Sequence, residues 1–128
     1  MERHSTVNVE TGMKFIDQDM KDWLDRKMKK NKRELNGVLV KTTSQRYAVF
    51  MKSTTCVQCG MEGTKFAIER HCDHNGDHTS TYHLNLYGPD DTLFTKDHIV
   101  PKAKGGKDFL SNYQTMCQPC NNEKADKI

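Results

Sequence analysis

The chain has 128 residues and 14.8 kDa, with 34% hydrophobic and 29% charged residues and a mean hydropathy of −0.86, so one domain with a thin core is expected and a further source of stability is needed. Its longest apolar runs, Val38 to Val40 and Ala48 to Met51, fall far short of the roughly 18 apolar residues of a membrane span. Met1 to Gly12 has no apolar core of a secretory signal, which predicts a reducing cytoplasm. The net charge of +3 permits nucleic acid as a partner without requiring it. Its distribution is more informative: residues 1–55 carry 12 Lys/Arg against 7 Asp/Glu, and residues 56–128 carry 8 against 10.

In chain order, Ile16, Met20, Trp23, Leu24 and Met28 recur near the helical period and predict a helix from Asp17 to about Lys30, capped by Asp17 or Asp19. Arg26 to Arg33 then places six cations in eight residues, either a solvated helix end or a field attractive to phosphates. In the second case Lys29, Lys30, Lys32 and Arg33 are candidate DNA contacts. Asn36-Gly37 marks a turn, and Val38 to Val40 begins either a short strand or another packed segment. Ser44 caps a second helix to about Lys52, with a strand as the competing assignment. Alternation at Phe66 and Ile68, then at Tyr82, Leu84 and Leu86, predicts strands joined by a polar connection, Asp73 to Thr81. A turn at Gly88 to Asp91 leads to a third strand reaching Ile99, completing a β-meander. Beyond Pro101 follow a loop, Lys102 to Asp108, a short strand, Tyr113 to Met116, and a helix from about Pro119.

Four of the five cysteines form two CxxC pairs, Cys56/Cys59 and Cys117/Cys120. Two such knuckles supply the four thiolates of a tetrahedral Zn2+ site, and disulfides are rare in a reducing compartment. The metal would supply stability that the sparse apolar content cannot. Cys72 lies near His71, His74, His78 and His83, whose spacings match no ligand pattern and read as loop histidines.

Asp97-His98 at a strand end, Asn112 before the next strand and Asn121 on a cysteine-flanked helix combine an imidazole base with hard oxygen donors for a divalent ion. From Asp97 to Lys124, and again from Cys56 to Gly60, the sequence resembles the four-cysteine HNH endonucleases, small free-standing members of phage and bacterial type in particular. The resemblance implies an α+β fold with a ββα-metal motif braced by the zinc cysteines. It implies that His98 activates a water for in-line attack on a DNA phosphodiester, leaving 5′-phosphate and 3′-hydroxyl ends. Asp97 and Asn121 would hold Mg2+ or Mn2+, and the amide oxygen of Asn112 would orient the His98 ring. Lys124, Lys102 and Lys104 become candidate phosphate contacts.

Two features depart from compact members of that family. The 57 residues between Cys59 and Cys117 include a surplus β-meander at about 64–92, and the chain ends eight residues after Cys120. Any DNA-reading module is therefore expected within residues 1–55 or in a partner. The predicted organisation is a basic, helical N-terminal extension, 1–55, followed by the nuclease domain, 56–128, acting as a monomer that nicks DNA or cleaves it with weak specificity. A bacterial host or phage-infected cytoplasm is the expected location. The alternatives are a non-catalytic zinc module binding DNA or protein, and a nuclease component of a phage packaging or other assembly.

Overall fold

The computed structural model describes residues 1–72 and 81–125; His74, His78 and most of the expected polar connection lie outside these residues. The chain forms two compact units, Met1–Ser44 with Lys65–Asn85 and Gln45–Thr64 with Leu86–Ile128. The division differs from the expected boundary after residue 55. Residues 65–85 are drawn into the first unit by strand pairing with the N-terminus, and residues 45–55 belong to the second.

In the first unit, β1 (Glu2–Asn8) pairs antiparallel with β4 (Lys65–Arg70), from Glu2 opposite Arg70 to Asn8 opposite Lys65. Its polar sequence has no apolar alternation to announce a strand. Ladder bonds and ion pairs hold it instead, Arg3 Nε lying 2.8 Å from Glu69 Oε2 and Arg70 pairing with Glu2. Helix α1 spans Val9–Leu24, starting eight residues before Asp17 because Asn8 is the cap, its Oδ1 accepting from Thr11 N at 2.7 Å. It stops at Leu24, so the basic stretch 26–33 is not a helix end.

Asp19, expected as a possible cap, is instead buried within α1. Its Oδ2 accepts from Thr42 Oγ1 at 2.6 Å, Asn31 Nδ2 at 3.1 Å and Arg33 Nε at 3.2 Å. Burial acts to raise this carboxyl, but the hydrogen bonds and the Arg33 charge outweigh it and hold it below the ordinary range. This carboxylate ties α1 to the hairpin of β2 (Lys32–Leu35) and β3 (Val38–Lys41), which turns at Asn36–Gly37. Ile16, Met20, Val40, Phe66 and Ile68 are wholly buried in this unit. Gly12 lets α1 approach β4, since a Cβ there would meet the Phe66 ring at 2.4 Å.

The strand order in the first unit is β1-β4-β5 and in the second β5-β6-β7, β5 (His83–Gly88) beginning in one and ending in the other. The second unit also holds α2 (Gln45–Lys52), whose Tyr47, Ala48, Val49 and Phe50 are buried. There β6 (Thr92–His98) pairs antiparallel with β7 (Tyr113–Cys117) from Phe94 opposite Cys117 to His98 opposite Tyr113. Helix α3 (Gln118–Lys124) follows β7 without a linker. No helix of the described residues is long and apolar enough to cross a membrane.

Gly12→Ala is expected to destabilise the chain by about 1–2 kcal/mol, an overpacking cost of roughly 1–3 kcal/mol offset by up to ~1 kcal/mol of helix propensity. A chemical denaturation midpoint equal to or above that of the unmodified chain would contradict this packing.

Candidate active site and four-cysteine centre

Strand β6 carries Asp97 and His98 to its end, and residues 99–112 return the chain to β7. This connection is tightly folded. Gly106 N donates to Pro101 O at 2.9 Å, and a Cβ on Gly106 would lie 1.7 Å from Val100 O, so no larger residue fits. Asn112 closes the loop: its Oδ1 accepts from Val100 N at 2.9 Å, while its Nδ2 donates to Val100 O at 3.1 Å and Lys107 O at 2.9 Å. The expected contact between the Asn112 amide oxygen and the His98 ring is therefore replaced by a loop clamp. That oxygen is occupied by the Val100 amide.

The opposed position of His98 and Tyr113 in the ladder explains the ring contact between them, edge to face with centroids 4.9 Å apart. His98 Nε2 lies 2.8 Å from Asp108 Oδ1. The other carboxylate oxygen of Asp108 is 3.3 Å from Lys102 Nζ, and the Tyr113 hydroxyl donates to Oδ1 at 3.4 Å. Hydrogen bonds from His98 and Lys102 hold the Asp108 carboxyl below its usual range.

Asp97 is buried, and the side chain of Gln114, its partner across the ladder, donates to Oδ2 at 2.9 Å. Helix α3 crosses the face of β6 that carries Thr95 and Asp97. Residues three apart on the helix meet residues two apart on the strand: Asn121 Nδ2 donates to Thr95 Oγ1 at 2.9 Å, and Lys124 Nζ lies 3.2 Å from Asp97 Oδ2. Lys124 also donates to His98 O at 2.8 Å. Its side chain is only 15% exposed and is committed within the fold, which corrects its expected role as a free phosphate contact.

Asp97, His98, Asn121 and Lys124 line one open cleft of about 250 Å³, together with Lys96, Pro101 and Lys102. The Asp97 carboxylate and the Asn121 amide oxygen are hard donors suited to a small divalent cation. The Lys124 ammonium already balances the Asp97 charge, so a cation would compete with it there.

The Sγ atoms of Cys56, Cys59, Cys117 and Cys120 all lie within 4.8 Å of one another, a set that could hold a metal ion such as zinc. Cys59 and Cys117 sulfurs are 3.8 Å apart. The first knuckle is shaped by Gly60 N donating to Cys56 O and Cys56 N to Met61 O, and Val57 N donates to Thr115 O in β7. Burial acts to raise the Cys56 thiol, but amide hydrogen bonds from Cys117, Cys59 and Gln58 bring it down to about 6. Burial raises the Cys117 thiol, and the hydrogen bond with Cys117 raises that of Cys120.

The remaining candidate DNA contacts divide between the units. Lys102 and Lys104 are exposed on the loop beside the cleft, and Lys29, Lys30 and Lys32 are exposed in the first unit. Arg33 is not a free cation: it binds Asp19 and the Phe15 carbonyl and stacks 4.9 Å from the Phe15 ring centroid. Sequence reasoning missed Gln114 and Asp108. An acid within a lysine-rich loop was the one available signal for Asp108.

No curated protein and no solved structure matches the chain. Residues 88–128, the segment that contains β6, β7, α3 and the second cysteine pair, match the family model of the HNH endonucleases.

Proposed function

We propose that the second unit is a metal-dependent DNA endonuclease braced by a structural Zn2+. The observation that carries this reading is the convergence of Asp97, His98 and Asn121 on one cleft within the segment that matches the HNH model. For zinc, a tetrahedral site with Zn–S bonds of about 2.3 Å requires sulfurs about 3.8 Å apart. The Cys59–Cys117 separation of 3.8 Å fits that requirement.

In the proposed reaction His98 takes a proton from a water aimed in line at the phosphorus. The water oxygen bonds phosphorus as the bond to the 3′ oxygen breaks, leaving a 5′ phosphate. The 3′ oxygen departs with its electron pair and takes a proton from solvent. Asp97 and Asn121 would hold Mg2+ or Mn2+, which when bound would offset negative charge growing on the phosphoryl and departing oxygens. Gln114 holds the Asp97 carboxylate in register, and Thr95 turns the Asn121 amide so that its oxygen is left as the donor. Lys124 secures α3 to the end of β6 through His98 O, setting the separation of the helix residues from the strand residues. Lys102 and Lys104 supply positive charge at the mouth of the cleft, suited to phosphates but carrying no base readout.

His98→Ala should lower nicking of supercoiled plasmid in Mg2+ or Mn2+ by about 10²- to 10⁴-fold while zinc content and secondary structure stay unchanged. Nicking at the unmodified rate would remove His98 from the reaction. Cys117→Ser should reduce bound zinc from one per chain towards none. It should also lower the thermal midpoint by roughly 10 °C or more, because even a ~2 kcal/mol loss shifts a unit of this size that far. Unchanged zinc stoichiometry and midpoint would contradict the four-cysteine assignment.

A further inference from the structure

We infer that Asp108 is the positioning carboxylate of His98: it receives the Nε2 proton, fixes the orientation and tautomer of the ring, and leaves Nδ1 as the basic nitrogen. The use of that nitrogen in hydrolysis rests on the nuclease reading above. The hydrogen-bond geometry does not.

The tautomer follows from the donor inventory. An ionised carboxylate only accepts, and a neutral imidazole carries a single N–H. With Asp108 Oδ1 2.8 Å from Nε2, the proton belongs on Nε2 and the lone pair on Nδ1. Asp108 is a half-exposed carboxyl, ionised at neutral pH like any ordinary aspartate, and its second oxygen lies 3.3 Å from Lys102 Nζ. Nδ1 has no hydrogen-bond partner among the described residues. Asn112 cannot serve in place of Asp108, because its amide oxygen accepts from Val100 N and its amide nitrogen donates to two loop carbonyls.

Two further contacts restrict the ring. Its edge-to-face packing on Tyr113 confines the imidazole plane, and the Tyr113 hydroxyl reaches the same carboxylate oxygen at 3.4 Å. A ring confined in this way costs less to align when water and phosphate arrive. When Nδ1 accepts the water proton, Nε2 keeps its own, and the resulting imidazolium is a cation beside the Asp108 anion. Asp108 stays ionised throughout and touches neither water nor phosphate.

The test combines nitrogen-15 NMR of the histidine rings with single-turnover plasmid nicking, on the unmodified chain, Asp108→Ala, Asp108→Asn and Asp108→Glu. In the unmodified chain His98 should show a protonated Nε2 and an unprotonated Nδ1, with a persistent Nε2–H signal that Asp108→Ala abolishes. The nicking rate constant should fall about 10- to 100-fold in Asp108→Ala and Asp108→Asn, with DNA affinity changed by less than about twofold, and Asp108→Glu should recover part of it. A proton on Nδ1 in the unmodified chain, or nicking by Asp108→Ala within about twofold of the unmodified rate, would overturn the inference. The NMR signature is read without DNA, so an unmodified chain that cleaves nothing would defeat the nuclease reading while the ring protonation still decides the role of Asp108.

Discussion

The second unit depends on the gathering of four sulfurs from two turns that lie far apart in sequence. Cys117 is the last residue of β7 and Cys120 lies in the first turn of α3, so the cluster spans the point where the strand stops and the helix begins. Asp97, His98, Asn121 and Lys124 are placed relative to that junction. Asp97 and His98 are positioned by pairing with Gln114 and Tyr113 in β7, and Asn121 and Lys124 by their distance along α3. An ion binding all four sulfurs would therefore hold the β6–β7–α3 arrangement as well as join residues 56–60 to it. Folding energy from such a site is large compared with what a chain of this apolar content obtains from its core.

Polar side chains complete what the cysteines begin. Asn112 uses its amide to close the loop between β6 and β7, and Lys124 joins the α3 face to the end of β6. The buried Asp97 carries a partner cation in Lys124, which avoids the cost of an uncompensated buried charge. A divalent ion arriving at Asp97 would thus exchange one cation for another rather than neutralise a bare carboxylate. In the first unit apolar packing and a buried carboxylate act together: Gly12 brings α1 against Phe66, and Asp19 gathers the hairpin through its hydrogen bonds.

Much of the candidate site was legible because its chemistry is local in sequence. The CxxC pairs, the Asp97-His98 step and the asparagines stand at short fixed spacings, and the strands of the second unit follow from alternation and turn residues. The first unit was less legible. Its opening strand carries no apolar alternation and is held by pairing with residues far along the chain, from Lys65 opposite Asn8 to Arg70 opposite Glu2, and the helix cap is an asparagine that precedes no obvious apolar run. Asp19 looked like a cap because it is an acid near a helical pattern, whereas tertiary donors bury it. The partners of Asp97, His98 and Asn112 were hidden for the same reason: hydrogen bonds between a loop, a strand and a helix leave no period in the sequence. Asn112 is the clearest case: its amide closes the loop, and the carboxylate 2.8 Å from His98 Nε2 is that of Asp108.

The most direct measurement is a diffraction experiment on the full chain saturated with Mn2+, using the anomalous signal to locate the ion. The proposed hydrolytic site predicts manganese in the cleft, bound by Asp97 and Asn121, with the Lys124 ammonium withdrawn from the carboxylate. A cleft without manganese at saturation, or manganese bound only elsewhere, would contradict it.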